Sequence, residues 1–78
     1  MELVFGIVVS YLEIAGNIES VGKIYTNRES AIDGLVKFIE SEQEIVLSAE
    51  DIVTIKDYSQ YITDNAEFAY SIVDFRTN

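Results

Sequence analysis

The fold of this chain is decided by its first apolar run, Leu3-Val4-Phe5-Gly6-Ile7-Val8-Val9-Ser10-Tyr11-Leu12. The run is rich in β-branched and aromatic residues, which pack well on a pleated surface, so it predicts a β-strand. Side chains of a strand alternate between two faces, and here both sets are largely apolar. Such a strand needs cover on both of its faces.

Two shorter apolar runs complete the predicted sheet. Residues 20–25 form the second predicted strand, and the turn signal Gly16-Asn17 before it favours an antiparallel hairpin with the first. A third strand is predicted over residues 68–75, and it is again apolar on both faces. We expect the spatial order 2-1-3, which places the long first strand in the centre.

Two helices are predicted between the second and third strands. The first, at about residues 27–42, can be capped by Thr26 or Asn27, and Thr26 with Glu29 has the spacing of a capping box. The second, at about residues 49–62, can be capped by Ser48 with Asp51 in the same kind of box. Its β-branched segment 52–55 has poor helix propensity.

The order β-β-α-(α)-β indicates an α+β fold, with a small, mostly antiparallel three-stranded sheet and one or two helices packed on one face. The 78 residues form one domain, 1–78, because a chain of this length has no room for a second core. The first helix covers one face of the sheet. Either the second helix crosses to the other face or a second copy covers it, and we expect a homodimer through the sheet.

The composition excludes several classes of function. The chain has no His and no Cys, so the usual nucleophile–base pairs cannot be built, and no glycine-rich phosphate loop is present. We therefore expect no enzyme activity, no cofactor and no metal. The spacing of Glu40, Glu42 and Glu44 is compatible with a hard cation, but a solvated helix end explains it better because the calcium-loop pattern is absent.

Charge and hydropathy also bear on partners and location. The net charge of −9 disfavours direct binding to nucleic acid or to an anionic membrane, because both require a cationic face, and it permits binding to a basic protein surface. The apolar run is shorter than the roughly 20 residues of a membrane span, and the start Met1-Glu2 lacks the positive charge of a secretory signal. We expect a soluble protein of the cytoplasm.

The carboxylates are concentrated in one segment of the chain. Eight of them lie between Glu40 and Glu67, where Lys56 is the only basic residue. Tyr58 and Tyr61 lie in the same segment and are expected to be exposed, and tyrosine is a rigid amphipathic anchor at interfaces. The alternative is a solvated acidic face that only keeps the protein soluble. The predicted partner-binding residues are Glu40, Glu42, Glu44, Glu50, Asp51, Asp57, Tyr58, Tyr61 and Asp64.

The overall pattern resembles many small uncharacterised proteins encoded by phages and other viruses. It is carried by the strand pair, by the segment Tyr25-Thr26-Asn27-Arg28-Glu29-Ser30-Ala31 with Leu35 four residues later, and by the late strand Ser71-Ile72-Val73-Asp74-Phe75. Some small acidic phage proteins, including several anti-CRISPR proteins, inhibit host defence enzymes by imitating nucleic acid. The resemblance implies a non-catalytic inhibitor that binds a basic, nucleic-acid-handling partner in the host cytoplasm, and it transfers no functional residues. The alternative function is a structural or self-assembly module that acts as a homodimer.

Overall fold

A computed structural model of the chain describes residues 2–11, 18–64 and 67–77. These residues form an α+β fold, as predicted, and the expected turn at Gly16-Asn17 lies outside them. The elements in chain order are β1 (Glu2–Tyr11), β2 (Ile18–Tyr25), α1 (Arg28–Gln43), α2 (Ala49–Tyr58), β3 (Gln60–Ile62) and β4 (Phe68–Thr77).

The described strands form one antiparallel sheet in the order β2-β1-β4-β3. β1 pairs with β4 over the full length of both strands, from Glu2 opposite Thr77 to Tyr11 opposite Phe68. The first apolar run therefore lies in the centre of the sheet, with β2 on one side and the late strand on the other, as the predicted order required. Four strands are described where three were predicted, and the additional one is β3.

The predicted extent of the second helix is wrong at its carboxyl end. α2 ends at Tyr58, and Ser59 takes the left-handed conformation with φ 57° while its N–H donates to the Ile55 carbonyl. Residues 60–62 then pair with residues 69–71 of β4. The spacing of Tyr58 and Ile62 suits a helix, but the edge of β4 offers backbone hydrogen bonds to an extended segment, and these decide the conformation.

The amino ends of both helices are set by local hydrogen bonds. Asn27, rather than Thr26, caps α1, and its Oδ1 accepts from the Ser30 N–H at 2.8 Å. Ser48 caps α2 in the predicted capping box: its Oγ accepts from the Asp51 N–H at 3.1 Å, and Asp51 Oδ2 accepts from the Ser48 N–H at 3.3 Å. Each cap satisfies backbone N–H groups that the first turn of a helix cannot pair.

The core lies between the sheet and both helices, on one face of the sheet. Its largest fully buried side chains come from both helices and from the central strands β1 and β4, so α2 does not cross to the other face. The buried cluster consists of Ile7, Val9, Ile32, Leu35, Ile39, Leu47, Ile55, Tyr61 and Tyr70. None of the helices in the described ranges is both long and apolar enough to cross a membrane.

The left-handed residue at the carboxyl end of α1 generates a prediction. Glu44 has φ 54° there, and its side chain is exposed. Glycine adopts this conformation without the steric penalty of a Cβ, so Glu44→Gly should raise the free energy of unfolding by about 1 kcal/mol. Urea unfolding followed by circular dichroism measures the change.

Glu42→Gly is the matched control, because it removes the same charge from an exposed position inside α1. It should lower the free energy of unfolding by up to about 1 kcal/mol, since glycine is a poor helix former. If both variants shift the urea midpoint in the same direction, the loss of a negative charge, and not the backbone conformation of residue 44, accounts for the change in stability.

Candidate functional site

A cleft of about 400 Å³ lies between α2 and β3, and we refer to it as the α2–β3 cleft. It brings together four of the nine residues predicted from the sequence to bind a partner, namely Asp51, Tyr58, Tyr61 and Asp64. Three further residues complete its lining, and they are Thr54, Gln60 and Ile62. Two carboxylates and two phenols therefore share one concave surface.

The helical side of the cleft follows from the periodicity of α2. Asp51, Thr54 and Tyr58 stand at i, i+3 and i+7, so they project from one side of the helix. The rotation of the helix is set by Ile55, which is fully buried in the core. The capping box with Ser48 holds the Asp51 carboxylate at the amino end of this row.

The strand side of the cleft corrects one prediction. Tyr61 was expected to be exposed, but it is only 9% exposed and belongs to the buried core. The physical reason is the alternation of β3, which turns Tyr61 inward opposite Tyr70 while its neighbours Gln60 and Ile62 stay exposed. Tyr58 is 75% exposed, as predicted, so the cleft combines one buried and one exposed phenol.

The electrostatics of the cleft appear in the ionisation of Tyr61. Burial raises the pKa of the Tyr61 phenol, and the negative charges of Asp51 and Asp64 raise it further, with a smaller effect of Tyr70. Both carboxylates therefore act on the same hydroxyl. Burial disfavours a charge of either sign, but the effect of the two carboxylates favours a positive charge beside this hydroxyl.

The other five predicted residues lie outside this cleft. Glu40 is half-buried, and its Oε2 accepts from the Leu47 N–H at 2.9 Å, which ties the segment after α1 to the helix. Glu42 and Glu44 are exposed at the carboxyl end of α1. Glu50 and Asp57 are exposed on α2, and Glu50 borders a separate shallow depression with Val53 and Thr54. We refer to the four exposed carboxylates among them as the acidic surround, and they are Glu42, Glu44, Glu50 and Asp57.

The basic residues in the described ranges lie away from the cleft. Lys56 borders a different depression, on the flank of α2 that faces α1, together with Arg28. The Arg28 guanidinium donates to the Lys56 carbonyl and to Ser59 Oγ, so it joins the start of α1 to the end of α2. Lys23 and Lys37 border a third depression beside Tyr25. No basic residue is among those that line the α2–β3 cleft.

Three residues that line the cleft are not among those predicted from the sequence. Thr54 could have been found, because it lies on the same helical row as Asp51 and Tyr58, and its hydroxyl donates to the Glu50 carbonyl at 3.0 Å. Gln60 and Ile62 could not have been found, because they were assigned to a helix that in fact ends at Tyr58. Their place in the cleft depends on the pairing of β3 with β4.

The chemistry available to the cleft is that of an anionic, aromatic site. Carboxylates accept charge-assisted hydrogen bonds from ammonium and guanidinium groups, and the face of a tyrosine ring attracts the same cations. In the part of the chain that the structure describes, no group of three or more acidic, His or Cys side chains is arranged to hold a metal ion. Comparison of the chain with protein-family models, with curated proteins and with solved structures finds no match.

The buried phenols of Tyr61 and Tyr70 predict a loss of stability at alkaline pH. Burial raises the pKa of both above the usual 10.0. The unfolded chain therefore loses these protons at a lower pH than the folded protein does. The free energy of unfolding should fall as the pH rises above about 10, and Tyr61→Phe should make that fall shallower.

Urea unfolding at a series of pH values on either side of 10 measures this slope. Ile55→Val is the control, since it weakens the same core without removing a titratable group and should lower stability equally at every pH. A slope that is the same in Tyr61→Phe and in the parent chain would contradict the assignment to Tyr61.

Proposed function

We propose that this protein is a non-catalytic module that binds a basic protein surface, and that the α2–β3 cleft receives a lysine or arginine side chain of the partner. A single observation carries the proposal. Asp51, Tyr58, Tyr61 and Asp64 come from a helix, a strand and the segment after it, and they line one cleft in which none of the described lining residues is basic.

The dimensions and chemistry of the cleft suit such a side chain. A cleft of about 400 Å³ lies in the range of pockets that hold small organic groups. Asp51 and Asp64 supply acceptors for a guanidinium or ammonium group. Tyr58, which is 75% exposed, is placed at the rim, where its ring can pack against the aliphatic or cationic part of the incoming side chain.

The acidic surround supports recognition at longer range. Glu42, Glu44, Glu50 and Asp57 are all exposed, and the chain carries a net charge of −9. Such a field accelerates encounter with a basic partner and weakens as salt screens it. In this proposal the surround steers the partner, and the cleft supplies the close contacts.

A nucleic-acid-handling protein is the partner class that this charge pattern favours. Proteins of that class carry cationic grooves that neutralise phosphates, and a folded surface of carboxylates can occupy such a groove in place of nucleic acid. Inhibition of a host enzyme by a phage or viral protein is the form of this function that the sequence resemblance suggests.

Substitutions at the cleft should weaken binding to a basic probe. The probe is a fluorescent oligoarginine peptide in low-salt buffer, and fluorescence anisotropy reports its affinity. Tyr58→Ala and Asp64→Lys should each weaken binding by about tenfold, the cost of losing roughly 1.4 kcal/mol at a central contact. Asp33→Lys is the control, because Asp33 is exposed on α1 and borders a different depression.

The control separates a cleft from a diffuse charge effect. Asp33→Lys and Asp64→Lys change the net charge equally, so binding driven by net charge alone would be weakened equally by both. That result, or an affinity unaffected by Tyr58→Ala, would remove the cleft from the proposal.

The partner class has its own test. Basic proteins are captured on the immobilised protein from a cell lysate and are then eluted with short duplex DNA. If the immobilised protein occupies the nucleic-acid groove of a captured partner, DNA should release that partner from it. The same partner should fail to bind the Asp64→Lys variant. Captured proteins that DNA does not displace would argue against nucleic-acid mimicry.

A further inference from the structure

The sheet has a second face that neither helix covers, and we refer to it as the open face. Strand register defines its members, because residues paired across antiparallel strands point to the same side. Phe75 is opposite Val4, and Val73 and Ile24 are both opposite Gly6, so these side chains share the face that the core does not use. Ile62, opposite Ala69, extends the face onto β3.

The open face is apolar, and several of its side chains are exposed. Ile24 is 62% exposed, Ile62 47%, Phe75 42% and Val73 39%. These residues come from three different strands. Between them on β1, Val8 is half-buried and Val4 is only 5% exposed. The extent of the open face is comparable to the largest apolar patches of soluble monomers, and such patches often serve as interaction sites.

The charge distribution indicates what covers this face. Among the side chains that the structure describes, none on the open face is charged, and the polar ones are Ser10, Gln60 and Ser71. By register, the charged residue Glu2 is also on this face, at the end of β1. Two copies of a chain with net charge −9 repel each other wherever their carboxylates meet. Contact between two open faces limits this repulsion, because the carboxylates of both helices then lie on the outside of the pair. Of the residues that line the α2–β3 cleft, Gln60 and Ile62 also belong to the open face.

We infer that a second copy of this chain packs on the open face, so that the protein is a two-fold symmetric dimer with two sheets in contact. Sheets packed in this way lie about 10 Å apart. The helix layers are then separated by both sheets, well beyond the roughly 8–10 Å over which charges interact at physiological salt.

The area of the face is sufficient for such a dimer. β1 and β4 have ten residues each, which gives a length of about 33 Å, and four strands span about 14 Å. Each copy therefore contributes roughly 500 Å², and the pair buries about 1,000 Å², which reaches the lower limit for a specific interface. A two-fold axis through the face makes the same residues serve on both sides.

Association state tests the inference directly. Sedimentation velocity should give twice the monomer mass of 8.8 kDa at micromolar concentration. Val73→Asp should weaken association at least tenfold, because it places a carboxylate in the apolar contact of each copy. Val53→Asp is the matched control: Val53 is 54% exposed on α2, so the same substitution on the helix side should leave the dimer unchanged.

A cross-link locates the contact independently of stability. The chain has no cysteine, so Ser71→Cys introduces the only thiol, in the middle of the open face on β4. Under mild oxidation this variant should form a disulfide-linked dimer faster than Ser41→Cys, whose thiol is at an exposed position of α1, away from the open face. Circular dichroism of each variant confirms that the fold is retained.

Three results would overturn the inference. They are a parent chain that stays at 8.8 kDa up to high micromolar concentration, a dimer that survives Val73→Asp, and cross-linking that is no faster at position 71 than at position 41. If the dimer persists after Val73→Asp, it uses another surface, such as the part of the β4 edge that does not pair with β3. Binding of the oligoarginine peptide is a separate readout, so failure of the dimer and failure of the cleft are distinguishable.

Discussion

The pairing of β1 with β4 is the interaction on which the rest of this structure depends. It joins the two ends of the chain over ten residue pairs and places Ile7 and Val9 beside Tyr70 on the face that the helices cover. It also leaves the other edge of β4 available to β3, and β3 forms one side of the α2–β3 cleft. The cleft therefore exists because two distant segments pair, and its residues come together only after they do.

The carboxylates of this protein serve more than one purpose. Glu40 accepts the Leu47 N–H and Asp51 accepts the Ser48 N–H, so both stabilise the backbone where α1 is connected to α2. Loss of either would disturb the fold as well as any binding. Asp64 and Tyr58 line the cleft, and both are exposed, so under the proposed function their loss should report on binding with the least effect on the fold.

The two faces of the sheet divide the proposed interactions between them. The helix side carries the acidic cleft and suits a basic partner, whereas the open face is uncharged in the described side chains and suits a second copy. A dimer built on the open face would leave the α2 side of each cleft, with Asp51 and Tyr58, outside the contact. A dimer whose two clefts can reach one partner at the same time binds that partner more tightly than a single cleft does. Dimerisation and partner binding would therefore reinforce each other.

The pattern of residues is enough to predict the class of the fold, the central position of the first apolar run, the capping box of α2 and the clustering of carboxylates after residue 40. These depend on side-chain period, on local hydrogen bonds and on composition, all of which a short segment expresses without its neighbours. Tertiary structure alone decided that α2 ends at Tyr58, that Tyr61 turns inward, and that both helices share one face. The physical reason is that the side-chain spacing of a short segment can suit either a helix or a strand. Such a segment adopts the conformation in which a neighbouring element pairs its backbone N–H and C=O groups, and here that element is β4.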